Sequence, residues 1–102
     1  MLPLNPGRAG TTNSLQVSGA TPGGEVTFIW GINQGTASGD SICSGLNVDI
    51  LNFNTLTTVT ADGSGNAFIS FPVPGGASGL SVLLQAVDVD SCTESNLEMD
   101  TL

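Results

Sequence analysis

The sequence has no lysine, no histidine and no tyrosine, and its only basic residue is Arg8. Nine acidic residues oppose this single cation, so the formal net charge at pH 7 is -8. Nucleic acid is excluded as a partner, because phosphate binding requires several lysine or arginine side chains. Anionic membrane surfaces are excluded for the same electrostatic reason.

The missing histidine and lysine also restrict the chemistry open to the chain. Neither a Ser-His or Cys-His pair nor a lysine nucleophile can be assembled. Two carboxylates could still act on a glycosidic bond, but sugar rings also need aromatic platforms. Only Phe53 and Phe68 fall outside the predicted core, so we expect no enzyme, and a glycan partner stays an alternative.

Long hydrophobic runs are missing as well. No window reaches the roughly 18 apolar residues of a membrane span, so no membrane insertion is expected. The opening Met1-Leu-Pro-Leu has neither the basic nor the apolar region of a signal peptide. We interpret the 102 residues as a single domain, either a mature chain or a segment excised from a larger one.

Cysteine is scarce, and the two that occur, Cys43 and Cys92, form no C-x-x-C pattern. Without histidine they cannot complete a zinc site. The pattern favours a disulfide between them over two reduced, buried side chains. A disulfide implies an oxidising compartment, so we expect an extracellular or cell-surface protein.

Period-two alternation of apolar residues, interrupted by turn residues about every ten positions, predicts short antiparallel strands and almost no helix. The seven predicted strands centre on Leu15 and Val17, on Val26 to Trp30, on Leu46 to Ile50, and on residues 56–60, 67–73, 82–86 and 97–99. The stretch 31–40 is predicted to be a long loop. The predicted fold is all-β, a seven-stranded antiparallel immunoglobulin-like β-sandwich with Trp30 in its core; a small jelly roll or barrel is the alternative.

Residues 1–12 hold two prolines and two glycines and cannot form an ordinary core strand. We predict that they form an N-terminal arm, either a disordered tail or a segment laid against a neighbouring copy. Residues 13–102 are then the β-sandwich domain.

Several stretches together resemble a known kind of module: T-P-G-G (21–24), C-S-G-L (43–46), A-D-G-S-G-N-A (61–67), L-Q-A-V-D (84–88) and C-T-E-S-N (92–96). They resemble a small secreted β-sandwich module of extracellular bacterial proteins, which stands alone or at the end of larger surface proteins. The shared motifs are turn and core residues. The resemblance therefore implies a secreted fold and implies no biochemical role.

Calcium is the candidate ligand, although no cofactor is required. Asp62, Ser64 and Asn66 place oxygen atoms at alternate positions, as the start of a calcium loop does, but the closing bidentate glutamate is missing. Asp88, Asp90 and Glu94 are a second candidate cluster near a hairpin end. The alternative is that A-D-G-S-G-N-A is a metal-free hairpin turn.

A set of apolar residues falls on the strand phase opposite to the predicted core and forms a candidate interface. The set comprises Ile29, Leu51, Phe53, Phe68, Leu83, Val87 and Val89. The alternative is that bulges or errors of phase return some of these residues to the core.

Together these features predict a non-enzymatic extracellular structural module that associates with copies of itself as a surface filament or layer subunit. The alternative is a calcium- or glycan-binding module of a larger secreted protein.

Overall fold

The computed structural model describes residues 1–102, and its only regular element that is not a strand is a short 3₁₀ turn, Gly75–Ala77. All strand pairs are antiparallel, so the predicted all-β class is confirmed. In chain order the strands are β1 Thr12–Val17, β2 Glu25–Gly31, β3 Asn33–Ser38, β4 Asn47–Leu51, β5 Asn54–Thr60, β6 Ala67–Pro72, β7 Ser81–Asp88, β8 Thr93–Glu94 and β9 Glu98–Thr101.

A five-stranded sheet forms the middle of the molecule. Its order is β5-β2-β7, and β8 and β9 both pair with the far edge of β7. Strands β2 and β7 are buried on both faces: Phe28 and Leu84 belong to one apolar cluster, while Ile29 and Leu83 belong to another. A strand with two buried faces reads as a continuous apolar run, which explains the sequence V-L-L-Q-A-V at 82–87.

The two-stranded sheet of β1 and β6 covers the first face of the central sheet. Its register pairs Leu15 with Ile69, and both side chains are buried with Phe28 and Leu84. This first cluster contains 11 buried residues. Burial of each large apolar side chain stabilises the fold by about 1.5–3 kcal/mol relative to exposure, so this cluster is the main source of stability.

The hairpin of β3 and β4 covers the second face. Alternate residues of β4, Val48 and Ile50, join Ile29 and Val87 in a second cluster of six buried residues. A fully buried polar side chain lies beside them: Gln85 accepts a hydrogen bond from the Asp49 main-chain N–H at 3.0 Å. Its amide donates to Asp49 Oδ2 at 2.9 Å and to the carbonyl of Ser95 at 2.8 Å.

Each of the seven predicted strand positions coincides with a strand, but two further strands are present. The predicted loop 31–40 contains β3, so that prediction was wrong. Strand β3 has little apolar alternation because its outer side chains face water; pairing with β4 and packing of Ala37 on the second cluster hold it in place. The other additional strand is the short β8. Trp30, predicted in the core, is half-buried at the edge of the first cluster.

The N-terminal segment lies against its own domain, which differs from both predicted arrangements. Asn5 exchanges two main-chain hydrogen bonds with Ser14 of β1, and Leu4 is buried in the first cluster. Asn13, fully buried, accepts hydrogen bonds from the N–H groups of Gly7 and Arg8. Its side-chain amide donates to the carbonyls of Arg8 and of residue 11, so all of its hydrogen-bonding capacity holds the arm to β1.

Candidate functional site

The two cysteines are joined, as predicted from the sequence. Cys43 and Cys92 form a disulfide with a Cα–Cα distance of 5.8 Å across 49 residues of sequence. Cys43 belongs to the turn between β3 and β4, and Cys92 belongs to the turn between β7 and β8. The bond therefore ties the outer hairpin to the central sheet.

The first candidate calcium loop is a hydrogen-bonded turn. The Asp62 carboxylate accepts the main-chain N–H groups of Ser64 and Asn66, both at 2.9 Å through Oδ1. These bonds, from Asn66 first and Ser64 second, lower the pKa of Asp62. This is the usual way in which an aspartate closes a turn on its own main chain. The geometry therefore fits the metal-free alternative.

The second candidate cluster is organised around Asp88. Burial alone would raise the pKa of Asp88, but hydrogen bonds from Ser91 and Thr21 outweigh it and the pKa is lowered. Oδ2 accepts from the Thr21 N–H at 2.9 Å and from both hydroxyls at 2.8 Å. Oδ1 is buried without a partner. Asp90 and Glu94 are exposed, and no three acidic or cysteine side chains lie close enough together to hold a metal ion.

The predicted interface residues do not share one surface. Ile29, Leu83 and Val87 are buried in the second cluster, so the expectation that they face outwards was wrong. The sequence pattern was misleading because β2 and β7 have a covering layer on each side. Phe53 and Val89 are half-buried.

Leu51 and Phe68 are the two members of the predicted interface that are exposed. They lie apart, because Leu51 ends β4 in the outer hairpin and Phe68 lies in β6 of the opposite layer. Phe68, 61 % exposed, presents a free aromatic face, whereas Phe53 packs against the second cluster. A glycan platform of two aromatic rings is therefore not formed by this pair.

A different apolar surface lies where β2 ends and β7 begins. A groove of about 340 Å³, bordered by Trp30, Phe71 and Leu80, has 10 hydrophobic residues among its 12. A second groove of about 370 Å³ also contacts Trp30 and Leu80 and adds Ile32 and Leu51. We call Trp30, Ile32, Leu51 and Leu80, with the two grooves between them, the apolar end.

The sequence patterns assigned only Leu51 of the apolar end to an interface, and they placed Trp30 in the core. Ile32 fell within the predicted loop 31–40, and Leu80 follows a run of glycine, alanine and serine. Large aliphatic side chains inside turn segments were the available signal, because turns normally carry small or polar residues.

No protein-family model, curated protein or solved structure matches the chain. The structure contains no helix with the length and hydrophobicity that a membrane span requires.

Proposed function

We propose that the chain is a non-enzymatic structural module of the extracellular space that associates with copies of itself, as a subunit of a surface filament or layer. The observation that carries the proposal is the set of large apolar side chains left exposed after both core clusters are filled. The set comprises Leu2, Ile32, Leu51, Phe68, Leu80 and Met99. Three of these residues, Ile32, Leu51 and Leu80, lie together at the apolar end, and a cluster of apolar side chains on a protein surface commonly marks an interface.

The extracellular location is supported by the disulfide between Cys43 and Cys92, because such bonds persist in oxidising compartments. The resemblance to secreted bacterial modules favours the same location. The structural role is supported by composition, since a chain without histidine or lysine lacks the usual nucleophile-base pairs.

An immunoglobulin-like sandwich belongs to this proposal as the finer description of the fold. Antiparallel strands in packed sheets and a disulfide between distant parts of the chain support it. The structure departs from a two-sheet sandwich in one respect, because the hairpin of β3 and β4 adds a third layer over the second face of the central sheet.

Size-exclusion chromatography with light scattering, run through the micromolar range, tests the proposal. We expect a mass that rises with concentration above the 10.2 kDa of one chain. Electron microscopy of the concentrated sample then separates filaments and layers from small oligomers. A constant mass of one chain at every concentration would contradict self-association.

A further inference from the structure

The molecule has two chemically different ends, because its long strands run along a common direction. Strand β2 runs from Glu25 to Gly31, and β7, antiparallel to it, runs from Ser81 to Asp88. The end of β2 and the start of β7 therefore meet at the apolar end, which contains Trp30, Ile32, Leu51 and Leu80.

The opposite end gathers most of the negative charge. Hydrogen bonds join the turns there. The Val89 N–H donates to the main-chain carbonyl of Glu25, and the Gly23 N–H donates to the main-chain carbonyl of Asp62. The Thr21 N–H donates to the side-chain carboxylate of Asp88. The disulfide brings the turn that follows β3 to the same end. Six of the nine acidic residues lie here, namely Glu25, Asp40, Asp62, Asp88, Asp90 and Glu94. We call this the acidic end.

The only basic side chain lies away from the acidic end. Arg8 exchanges hydrogen bonds with Asn13, and Asn13 pairs with Phe71, which borders the first groove of the apolar end. The residues that line the two grooves include no acidic side chain, and the acidic residues that flank them are Glu98 and Asp100 on β9, which pair with the lining residues Leu84 and Val82. Two copies could thus approach through their apolar ends with less electrostatic repulsion than through their acidic ends.

The make-up of the apolar end resembles the centre of a protein interface. Apolar and aromatic side chains form its middle, and the uncharged Asn33, Asn52 and Asn54 border the second groove. Protein interfaces combine an apolar centre depleted of charge with a polar rim. A site for a small molecule usually adds convergent polar groups that orient the ligand, and the first groove is almost wholly hydrophobic.

From this arrangement we infer that the apolar end is a twofold contact with a second copy of the chain. The inference rests on the proposed self-association and specifies its surface and symmetry. Pairing of two apolar ends places the two acidic ends at opposite extremes of the dimer. Head-to-tail contact would instead bury unpaired carboxylates against apolar side chains, which is costly. A twofold contact closes on itself, so a filament or layer would need a second, different contact.

Sedimentation velocity on three chains tests the inference: wild type, Ile32→Asp and Phe68→Asp. Ile32 at the apolar end and Phe68 on β6, which starts beside the acidic end, are 57 % and 61 % exposed, so the two substitutions add the same charge at matched exposure. We expect a monomer-dimer equilibrium for wild type and for Phe68→Asp. Ile32→Asp should raise the dissociation constant roughly tenfold or more, because each copy would bury an unpaired carboxylate.

Fluorescence of Trp30, the only tryptophan, gives a second measurement of the same contact. Because Trp30 is half-buried and borders both grooves, its emission should shift to shorter wavelength as the wild-type concentration rises. Circular dichroism establishes that each variant is folded, and Leu80→Asp replaces Ile32→Asp if the latter is not.

The possible failures are distinguishable. Association that is equally sensitive at both positions, or that grows beyond a dimer through the apolar end, would overturn the twofold contact and leave self-association standing. A monomer at every concentration would overturn both proposals. If that monomer also shifted its Trp30 emission on addition of the apolar dye ANS, a small apolar ligand would replace the second copy as occupant.

Discussion

The two faces of the central sheet are covered in different ways. The face beneath β1 and β6 has a cluster of 11 buried residues, whereas the face beneath β3 and β4 has six. The smaller cluster is supplemented by the disulfide and by the hydrogen bonds of Gln85 to Asp49 and Ser95. The larger layer is thus held mainly by apolar burial, and the smaller one depends on cross-links that compensate for its size.

Removal of an aromatic ring from the larger cluster should have the greatest effect. Phe28 is fully buried, and Phe28→Ala should lower the free energy of unfolding by about 3–5 kcal/mol because it leaves a cavity. Urea denaturation measures the loss. Amide hydrogen exchange should accelerate in all strands, since β2 is central to the fold. Exchange that accelerates only in β3 and β4 would contradict the dominance of the larger cluster.

Removal of the disulfide should weaken chiefly the smaller layer. Replacing both Cys43 and Cys92 with alanine should cost about 4 kcal/mol, the chain-entropy value for a loop of this length. Hydrogen exchange should accelerate most in β3 and β4, because the bond fixes their turn to the central sheet. Equal acceleration in β1 and β6 would show that the two layers do not differ in this respect.

The hydrogen bonds of Gln85 should contribute less than the disulfide. Gln85→Leu keeps the volume similar but leaves the main-chain N–H of Asp49 without its partner, so we expect a loss of about 1–3 kcal/mol in urea denaturation. Gln16→Leu on the exposed side of β1 is the matched control, with an expected change within about 0.5 kcal/mol. Similar losses for the two variants would dismiss the Gln85 network as a stabilising element.

The smallest expected effect concerns the acidic end and pH. Because the pKa of Asp88 is lowered in the folded state, its stabilisation is present above its unfolded pKa of 3.8 and is lost as pH falls through the folded pKa. The melting temperature of Asp88→Asn should lie below that of wild type at neutral pH, and the difference should shrink in acid. Glu94→Gln, a nearby exposed carboxylate change, is the control. A melting-temperature difference that does not change with pH would contradict a stabilising role for the ionised Asp88 carboxylate.

Sequence patterns predicted strands at the right positions because alternation and turn residues are local signals. The disulfide was also predictable, since the chain contains only two cysteines and no metal-binding partner for them. The second covering layer was not predictable: β3 has almost no apolar residues, and its position depends on pairing with β4. For the same reason the sequence pattern predicted that Ile29, Leu83 and Val87 are exposed, whereas they are buried beneath the second layer.

In the candidate site, too, the local features could be predicted from the sequence and the long-range ones could not. The turn at Asp62 follows from a short stretch of sequence, because its hydrogen bonds join residues at most four positions apart. The apolar end combines residues from the ends of β2, β4 and β7 that are far apart in the sequence. Its existence depends on the three-dimensional arrangement of these strands, which single-sequence patterns do not specify.

The N-terminal arm has a consequence for solubility. Leu2 and Asn5 of the arm form main-chain hydrogen bonds with the outer edge of β1. Without these bonds, the main-chain groups of that edge would be free to pair with a strand of another molecule. Many proteins guard such edges with lysine, which this chain does not have. The first residues therefore act as a built-in edge guard, and a chain shortened to begin at Thr12 would be prone to aggregate through that uncovered strand.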